Sequence, residues 1–246
     1  MLHLLNIEIL KLQRNRSFLV LISLFVLSVF GVNYLAMELA TNNKFGFSFP
    51  SVWRDITYIS SFLLVIPGLI IIMHTCSEYS YRTHRQNIID GLSRNQYITT
   101  KILFVVALAL LSTILTFISA FVIGLSSDTT ISFVDFRYIY YFFIQSLMYI
   151  SLAFLFALLL KKSALSIGIF FIYSLIIENI LERYLSKINA GDLLPLSSSD
   201  HLLSLQVIST FIPKDSKPEF VYVIVSIIYI ILCYAICYYR YEKQDL

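Results

Sequence analysis

Residues 77–101 read SEYSYRTHRQNIIDGLSRNQYITTK, a polar and basic stretch between two apolar stretches that are each long enough to cross a bilayer. We interpret this stretch as a cytoplasmic contact surface held on a membrane scaffold. The composition supports this class, because 58% of the residues are hydrophobic, 13% are charged and the mean hydropathy is +0.80. The formal charge of +3 is small, and its distribution does not indicate a nucleic-acid partner.

The apolar stretches predict an all-α membrane protein of one domain, 1–246, with six transmembrane helices. A hydrocarbon core about 30 Å thick needs about 20 apolar residues per helix. The predicted spans are 17–37, 57–76, 102–124, 139–160, 163–182 and 220–239, and 183–219 forms an outer segment. The link Lys161-Lys162 predicts a tight antiparallel turn, and Pro67-Gly68 predicts a kink in the second span.

The distribution of lysine and arginine predicts that both termini are cytoplasmic, since cytoplasmic loops retain positive charge. With the N-terminus inside, the short inner segments contain eleven of the 18 basic residues: Lys11, Arg14, Arg16, Arg82, Arg85, Arg94, Lys101, Lys161, Lys162, Arg240 and Lys243. The outer segments are longer and contain only the other seven.

Residues 1–16 predict an amphipathic helix in the inner headgroup layer. Leu2, Leu5, Ile9 and Leu12 recur at spacings of three and four, which places them on one helix face.

Within residues 77–101 the sequence predicts a helix, a sharp turn and a second helix. Thr83 is a candidate cap of the first helix, and Gly91 suits the left-handed position that ends it. Ser93 and Gln96 have the spacing of a capping box for the second helix, which runs into the third span. Ile88, Ile89 and Leu92 form an apolar tip among charged residues, which favours a docking surface over a solvated loop.

The run EYSYRTHRQNIIDGLSR, residues 78–94, followed by a span, resembles the signature of permease subunits of ABC transporters of the type-2 exporter family. In that family the loop between the second and third spans is a coupling helix that fits a cleft on a separate ATPase subunit. The resemblance therefore implies a set of ATPase-coupling residues: Arg82, Thr83, Arg85, Asn87, Ile88, Ile89, Asp90, Gly91, Leu92 and Arg94.

The resemblance also implies the activity and the partners. We expect a multi-pass protein of the plasma membrane, the inner membrane in bacteria, that exports a lipid, a peptide, a drug or another hydrophobic or amphiphilic substrate. Its partners would be an ABC ATPase subunit and a second permease copy or a homologous permease. The chain itself would need no cofactor, since ATP and Mg would bind to the ATPase.

The motif content agrees with a chain that is not catalytic. The sequence has no G-x-x-x-x-G-K-[ST] loop to cradle nucleotide phosphates, and neither H-E-x-x-H nor G-x-S-x-G occurs. Two alternatives stay open: a non-transporting scaffold or immunity-type subunit driven by an ATPase, and, with less support, an intramembrane enzyme.

Three carboxylates at or within the predicted spans need partners, because an ionised group in a bilayer faces protein or a wet cavity. Glu78 lies at the membrane edge, where it either pairs with Arg82 or extends to the interface. Glu178 and Glu182 lie one helical turn apart on the fifth span. Glu178 either lines a substrate route or pairs with a nearby cation, Arg183 or Lys187.

Two further patterns concern the packing of the spans. Ala164 and Gly168 have the small-x-x-x-small spacing that allows close helix approach, either within one chain or at a seam between two copies. In the outer segment, Ser199 is a candidate cap for a short apolar helix that extends to Phe211. The three cysteines predict free thiols.

Overall fold

The computed structural model describes residues 8, 16–42, 47–81, 83, 93–127, 129–188, 190–203 and 217–243. Within these residues every regular element is helical. The α-helices are α1 (Arg16–Asn42), α2 (Val52–Ser61), α3 (Val65–Ser80), α4 (Arg94–Leu125), α5 (Arg137–Leu160), α6 (Ser163–Ile172), α7 (Glu178–Leu185), α8 (Pro195–Asp200) and α9 (Glu219–Glu242). A 3-10 turn, Phe62–Leu64, joins α2 to α3, and a π-helical turn, Tyr173–Ile177, joins α6 to α7.

Six helical segments are long and apolar enough to cross a membrane, which confirms the predicted all-helical, six-span class. They are Arg16–Leu39, Val52–Ser80, Arg94–Leu125, Arg137–Leu160, Ser163–Ile188 and Glu219–Glu242, called the first to sixth spans below. Each predicted span lies inside one of these segments. The helices extend further because polar flanks, such as Arg94 to Gln96, are also helical although they add no hydrophobicity.

The fourth span forms the centre of the bundle. It packs against α3, α4 and α9. Of the residues in its most apolar 18-residue stretch, 61% are buried, compared with 22% in the first and fifth spans. The first and fifth spans therefore present most of their apolar surface outward.

The second span departs from α-helical geometry close to the predicted kink. The 3-10 turn Phe62–Leu64 lies one turn before Pro67. Pro67 has no N–H to offer the carbonyl of Leu63, and its ring crowds that carbonyl, so regular hydrogen bonding stops there. Gly68 allows a close approach, since a Cβ on it would lie 2.8 Å from the ring of Phe170, which is fully buried.

The turn between the fourth and fifth spans is as short as predicted. The fourth span ends at Leu160, and α6 begins at Ser163. Lys161 has a φ of 57°, in the left-handed region, and its N–H donates to the carbonyl of Ala157 at 3.0 Å. This conformation reverses the chain within two residues and places the two spans side by side.

A cluster of aromatic side chains fastens the start of the second span to the third. Trp53 is fully buried and stacks on Phe117, with ring centroids 5.6 Å apart and planes 7° from parallel. Its Nε1 donates a hydrogen bond to the carbonyl of Ser132 at 2.8 Å. The only tryptophan of the chain thus has a fixed position at the end of the bundle away from Lys101.

A short helix that the sequence did not predict, α8, ends where the predicted helix of the outer segment was expected to begin. Ser199 lies inside α8 and does not cap a later helix, since its Oγ donates to the carbonyl of Leu196 at 2.8 Å. Pro195 at the first position favours the helix start there, because its fixed φ is already helical. The predicted continuation to Phe211 lies outside the described residues after Leu203.

Candidate functional site

A fully buried lysine lies near the start of the third span, beside the predicted coupling segment. The Nζ of Lys101 lies 2.8 Å from Oε1 of Glu78 and 2.7 Å from Oε2 of Glu8. A buried ion costs several kcal/mol unless close partners compensate for its lost hydration. Both carboxylates are buried as well, so the three groups stabilise one another and join the second span, the third span and the N-terminal segment.

Two further polar side chains complete this cluster, which we call the Lys101 cluster: Glu8, His74, Glu78, Tyr97 and Lys101. The Nε2 of His74 lies 2.6 Å from Oε2 of Glu8. An ionised carboxylate only accepts hydrogen bonds, so the hydrogen between them lies on Nε2. The hydroxyl of Tyr97 donates to Oε2 of Glu78 at 2.7 Å. His74 and Glu78 are four residues apart and project from the same face of the second span. Tyr97 and Lys101 have the same spacing on the third span.

The electrostatics of the Lys101 cluster favour an ionised Glu8. Burial acts to raise the pKa of Glu8, but the hydrogen bond from His74 and the charge of Lys101 outweigh it. The pKa of this carboxyl therefore lies well below its usual value. Glu8 is held as an anion against Lys101.

The same residues resemble a metal site in their spacing. Glu8, His74 and Glu78 each place one ligand atom within 4.8 Å of the others, and nitrogen and carboxylate ligands suit a divalent cation. The ammonium of Lys101 fills that position, because its Nζ contacts both carboxylates and lies 3.1 Å from Nε2 of His74. The geometry is that of an ion-pair network.

Contacts near the Lys101 cluster extend to the end of the sixth span. The ring of Tyr97 stacks on Tyr241 with centroids 5.0 Å apart. The guanidinium of Arg94 donates to the carbonyl of Glu242 at 2.7 Å. The first turns of the third span are therefore tied to the second span on one side and to the sixth span on the other.

Of the predicted coupling residues, the structure describes Thr83 and Arg94. The hydroxyl of Thr83 donates to the carbonyl of Glu78 at 3.4 Å. The predicted capping box is confirmed, since Oγ of Ser93 accepts from the N–H of Gln96 at 3.2 Å and Oε1 of Gln96 accepts from the N–H of Ser93 at 3.0 Å. Outside the described residues lie Arg82, Arg85, Asn87, Ile88, Ile89, Asp90, Gly91 and Leu92.

Glu78 has a cation partner on another helix. The sequence left open a pair with Arg82, which lies outside the described residues, or an extension to the interface, and the structure shows Lys101 at 2.8 Å. Sequence proximity had favoured a partner one turn away, whereas packing of the second and third spans supplies one 23 positions later.

Glu178 and Glu182 both contact the outer segment. Glu178 is buried, and its Oε1 accepts the backbone N–H groups of Leu196 and Ser197, the latter at 2.8 Å. Glu182 accepts from Oγ of Ser197 at 3.1 Å and lies 3.3 Å from Nε2 of His201. Thus the structure pairs Glu178 with the first turn of α8, and the hypothesis of a pair with Arg183 or Lys187 does not describe its observed hydrogen bonds.

The sequence matches the model of a family described as ABC-2 family transporter protein over residues 4–177, well over half of the chain. The chain belongs to the ABC-2 transporter permease family. The matched region contains the whole Lys101 cluster. No curated protein gives a significant match.

In this permease the small residues of the fifth span face away from the bundle. Ala164 is exposed, and a Cβ built on Gly168 would meet no atom within 4 Å. Of the two explanations for the small-x-x-x-small spacing, packing within one chain is therefore not observed at Gly168. This face is open to another helix.

Sequence reasoning found Glu78 but missed its partners in the permease. The sequence did contain a signal for Glu8: it lies three residues after Leu5 and four before Leu12, on the apolar face of the predicted helix. The signal for His74 and Lys101 was their spacing of four from Glu78 and Tyr97. These spacings identify shared faces, but only the folded bundle shows that the faces meet.

Proposed function

We propose that this permease exports a hydrophobic or amphiphilic substrate, driven by ATP that a separate ATPase subunit binds with Mg and hydrolyses. Membership of the ABC-2 family supports a membrane transport component. The observation that carries the proposal further is the 2.8 Å ion pair between Glu78 and Lys101, which joins the two flanks of the predicted coupling segment. A docking loop fixed at both ends can transmit force to its spans.

The proposed mechanism begins with the ATPase docked on residues 83–92. When two ATPase subunits close on ATP, the docked segment moves with them. Because Lys101 ties the second span to the third, both spans follow as one rigid unit. The contacts of Arg94 and Tyr97 carry this displacement to the sixth span. The central pathway then opens toward the outside.

A second permease, either another copy or a homologous chain, completes the proposed transporter. In the first and fifth spans only 22% of the most apolar 18-residue stretch is buried within one chain. A Cβ on Gly168 would contact no atom within 4 Å. Close approach at such small residues is a common way for membrane helices to associate. The complex would lie in the plasma membrane with both termini of each permease in the cytoplasm.

The first experiment tests the ATPase partner. The tagged chain is purified in mild detergent from its native cells, and a variant carrying Arg85→Glu and Ile88→Asp is treated in the same way. We expect an ABC ATPase to copurify with the wild type and to be lost from the variant. A matched control, Lys187→Glu with Ile188→Asp, makes the same chemical changes at exposed residues of the fifth span and should retain the ATPase.

The second experiment tests transport itself. In a reconstituted complex, ATPase activity that rises with an amphiphilic substrate supports export. Activity that responds only to another protein would instead favour the scaffold function. Failure to recover any ATPase with the folded wild-type chain would contradict the coupling proposal.

A further inference from the structure

A cavity of about 180 Å³ lies between the second, fourth and fifth spans and α8, at the end of the bundle away from the Lys101 cluster. Its wall mixes aromatic, small polar and aliphatic side chains with one carboxylate: Tyr58, Ser61, Phe62, Val65, Gln145, Tyr149, Ser174, Leu175 and Asp200. None of these residues belongs to the proposed coupling machinery. The cavity is therefore separate from the proposed coupling machinery.

The polar part of the cavity is rich in acceptors. Oδ1 of Asp200 accepts from Nε2 of Gln145 at 2.7 Å, and the hydroxyl of Tyr149 donates to Oδ2 at 3.1 Å. In the described part of the chain no lysine or arginine pairs with Asp200. The carboxylate thus retains capacity for a further donor, and a cationic donor suits it best.

Gln145 adds a second acceptor, a side-chain oxygen that receives no hydrogen bond. Its side chain is 2% exposed, and its Oε1 is buried with no hydrogen-bond partner. The orientation of the amide is fixed, because Nε2 must face the carboxylate of Asp200. A buried carbonyl oxygen that receives no hydrogen bond destabilises the fold, so a ligand with N–H groups in this cavity would supply the missing donor.

Two other features of the wall select the shape and charge of a ligand. Tyr58 and Phe62 meet edge to face with centroids 5.3 Å apart, and aromatic faces attract cations. The π-helical turn 173–177 brings Ser174 and Leu175 into the wall, and such turns occur frequently at functional sites. Val65 and Leu175 supply an aliphatic surface beside the charged end.

We propose that this cavity binds an organic ammonium group carried on a short apolar stem. The ammonium donates hydrogen bonds to the carboxylate of Asp200 and the amide oxygen of Gln145. Its stem packs against Val65 and Leu175, and the neighbouring rings stabilise the positive charge. The site is a property of one chain and goes beyond the transport proposal, because it needs neither the ATPase nor a second permease.

The test uses the purified chain in dodecyl maltoside, which contains no ammonium group. Isothermal titration calorimetry compares n-hexylammonium chloride with hexan-1-ol, which has the same stem without the charge. We expect saturable binding of hexylammonium, binding of hexanol weaker by about tenfold or more, and a similar loss in Asp200→Asn. The control Asp135→Asn changes another aspartate outside the cavity and should bind like the wild type.

A second variant keeps the test decisive if Asp200→Asn does not fold. Ser174→Leu leaves the carboxylate in place but fills the cavity, so binding should be lost. Equal binding of hexanol and hexylammonium, unchanged binding in Ser174→Leu, or no saturable binding to the wild type would each overturn the proposal. Nanodiscs distinguish a lipid headgroup from a free amine: weaker hexylammonium binding in phosphatidylethanolamine than in phosphatidylcholine, which is equally zwitterionic but has no N–H to donate, would assign the site to the headgroup.

Discussion

Two pairs of carboxylates, one near each end of the bundle, are held in different ways. At one end Glu8 and Glu78 are paired with the ammonium of Lys101 at 2.7 and 2.8 Å. At the other end Glu178 accepts backbone N–H groups, and Asp200 accepts from an amide and a hydroxyl. In the described residues, the first arrangement supplies a full opposite charge and the second supplies only neutral donors.

This difference agrees with the different tasks that we propose for the two ends. A buried ion pair is costly to break, because removal of one partner leaves an uncompensated charge. Such a pair suits a junction that must move without coming apart, as the base of the proposed coupling segment would. Neutral donors leave a carboxylate free to accept a cation, as a binding cavity requires.

Removal of the central cation should have the largest effect. Lys101→Met leaves Glu8 and Glu78 buried without their ammonium, and we expect a loss of about 3–5 kcal/mol in the free energy of unfolding. Denaturant unfolding of the purified chain measures it. Lys162→Met, in the exposed turn after the fourth span, is the control and should change stability little. Equal stability of the two variants would mean that the ion pairs contribute nothing.

The same substitution, glutamate to glutamine, can be made near each end of the bundle to compare the two arrangements directly. Glu78→Gln removes a charge that faces Lys101, and we expect a loss of about 2 kcal/mol or more. Glu178→Gln keeps an oxygen that accepts from the N–H groups of Leu196 and Ser197, so its loss should stay within about 1 kcal/mol. The same unfolding measurement tests both, and a larger loss in Glu178→Gln would reverse our assignment of the two ends.

Substitutions at two glycines, one on the second span and one on the fifth, test how closely these helices are packed. Gly68→Ala places a methyl group 2.8 Å from the buried ring of Phe170 and should cost about 1–3 kcal/mol. Gly168→Ala meets no atom within 4 Å and removes a helical glycine, so the single chain should be equally or slightly more stable. Thermal unfolding in detergent compares them. A matching loss at Gly168 would contradict the open face of the fifth span.

The smallest expected effect is a pH dependence of stability from Asp200. Asp200 is exposed in part, but the protein packed around its carboxyl, aided by the charge of Glu182, raises the pKa of that carboxyl from 3.8 to about 6 against the hydrogen bonds from Gln145 and Tyr149. The folded chain therefore binds this proton more tightly than the unfolded chain does. The contribution to stability is complete below pH 3.8 and is lost as the pH rises to about 6.

Thermal unfolding on both sides of this interval, in the wild type and in Asp200→Asn, measures the contribution. The wild type should lose stability relative to the variant as the pH rises. A wild type that gains stability relative to Asp200→Asn would show that the carboxylate is paired with a cation in the folded chain.

The sequence predicted those features that depend on neighbouring residues. Hydrophobic length located the six spans, and the spacing of Ser93 and Gln96 predicted a capping box that the structure confirms. The two-residue turn at Lys161 followed from the short distance between apolar stretches.

The Lys101 cluster could not be predicted in the same way. Glu8 and Lys101 are 93 positions apart, and their contact depends on how the N-terminal segment meets the bundle. Hydropathy also treats a lysine near a span as an interfacial charge, whereas Lys101 is fully buried. Likewise, the partners of Glu178 are backbone N–H groups, which any residue type can supply and no motif identifies.

The position of Trp53 gives the protein an internal fluorescent reporter. Since the chain contains a single tryptophan, its emission comes from one buried place, between the second and third spans. The emission of an indole depends on its hydration and on the rings stacked against it. If the second and third spans shift relative to each other during a transport cycle, the wavelength and intensity of this emission should change. The movement can then be followed in real time without an attached dye.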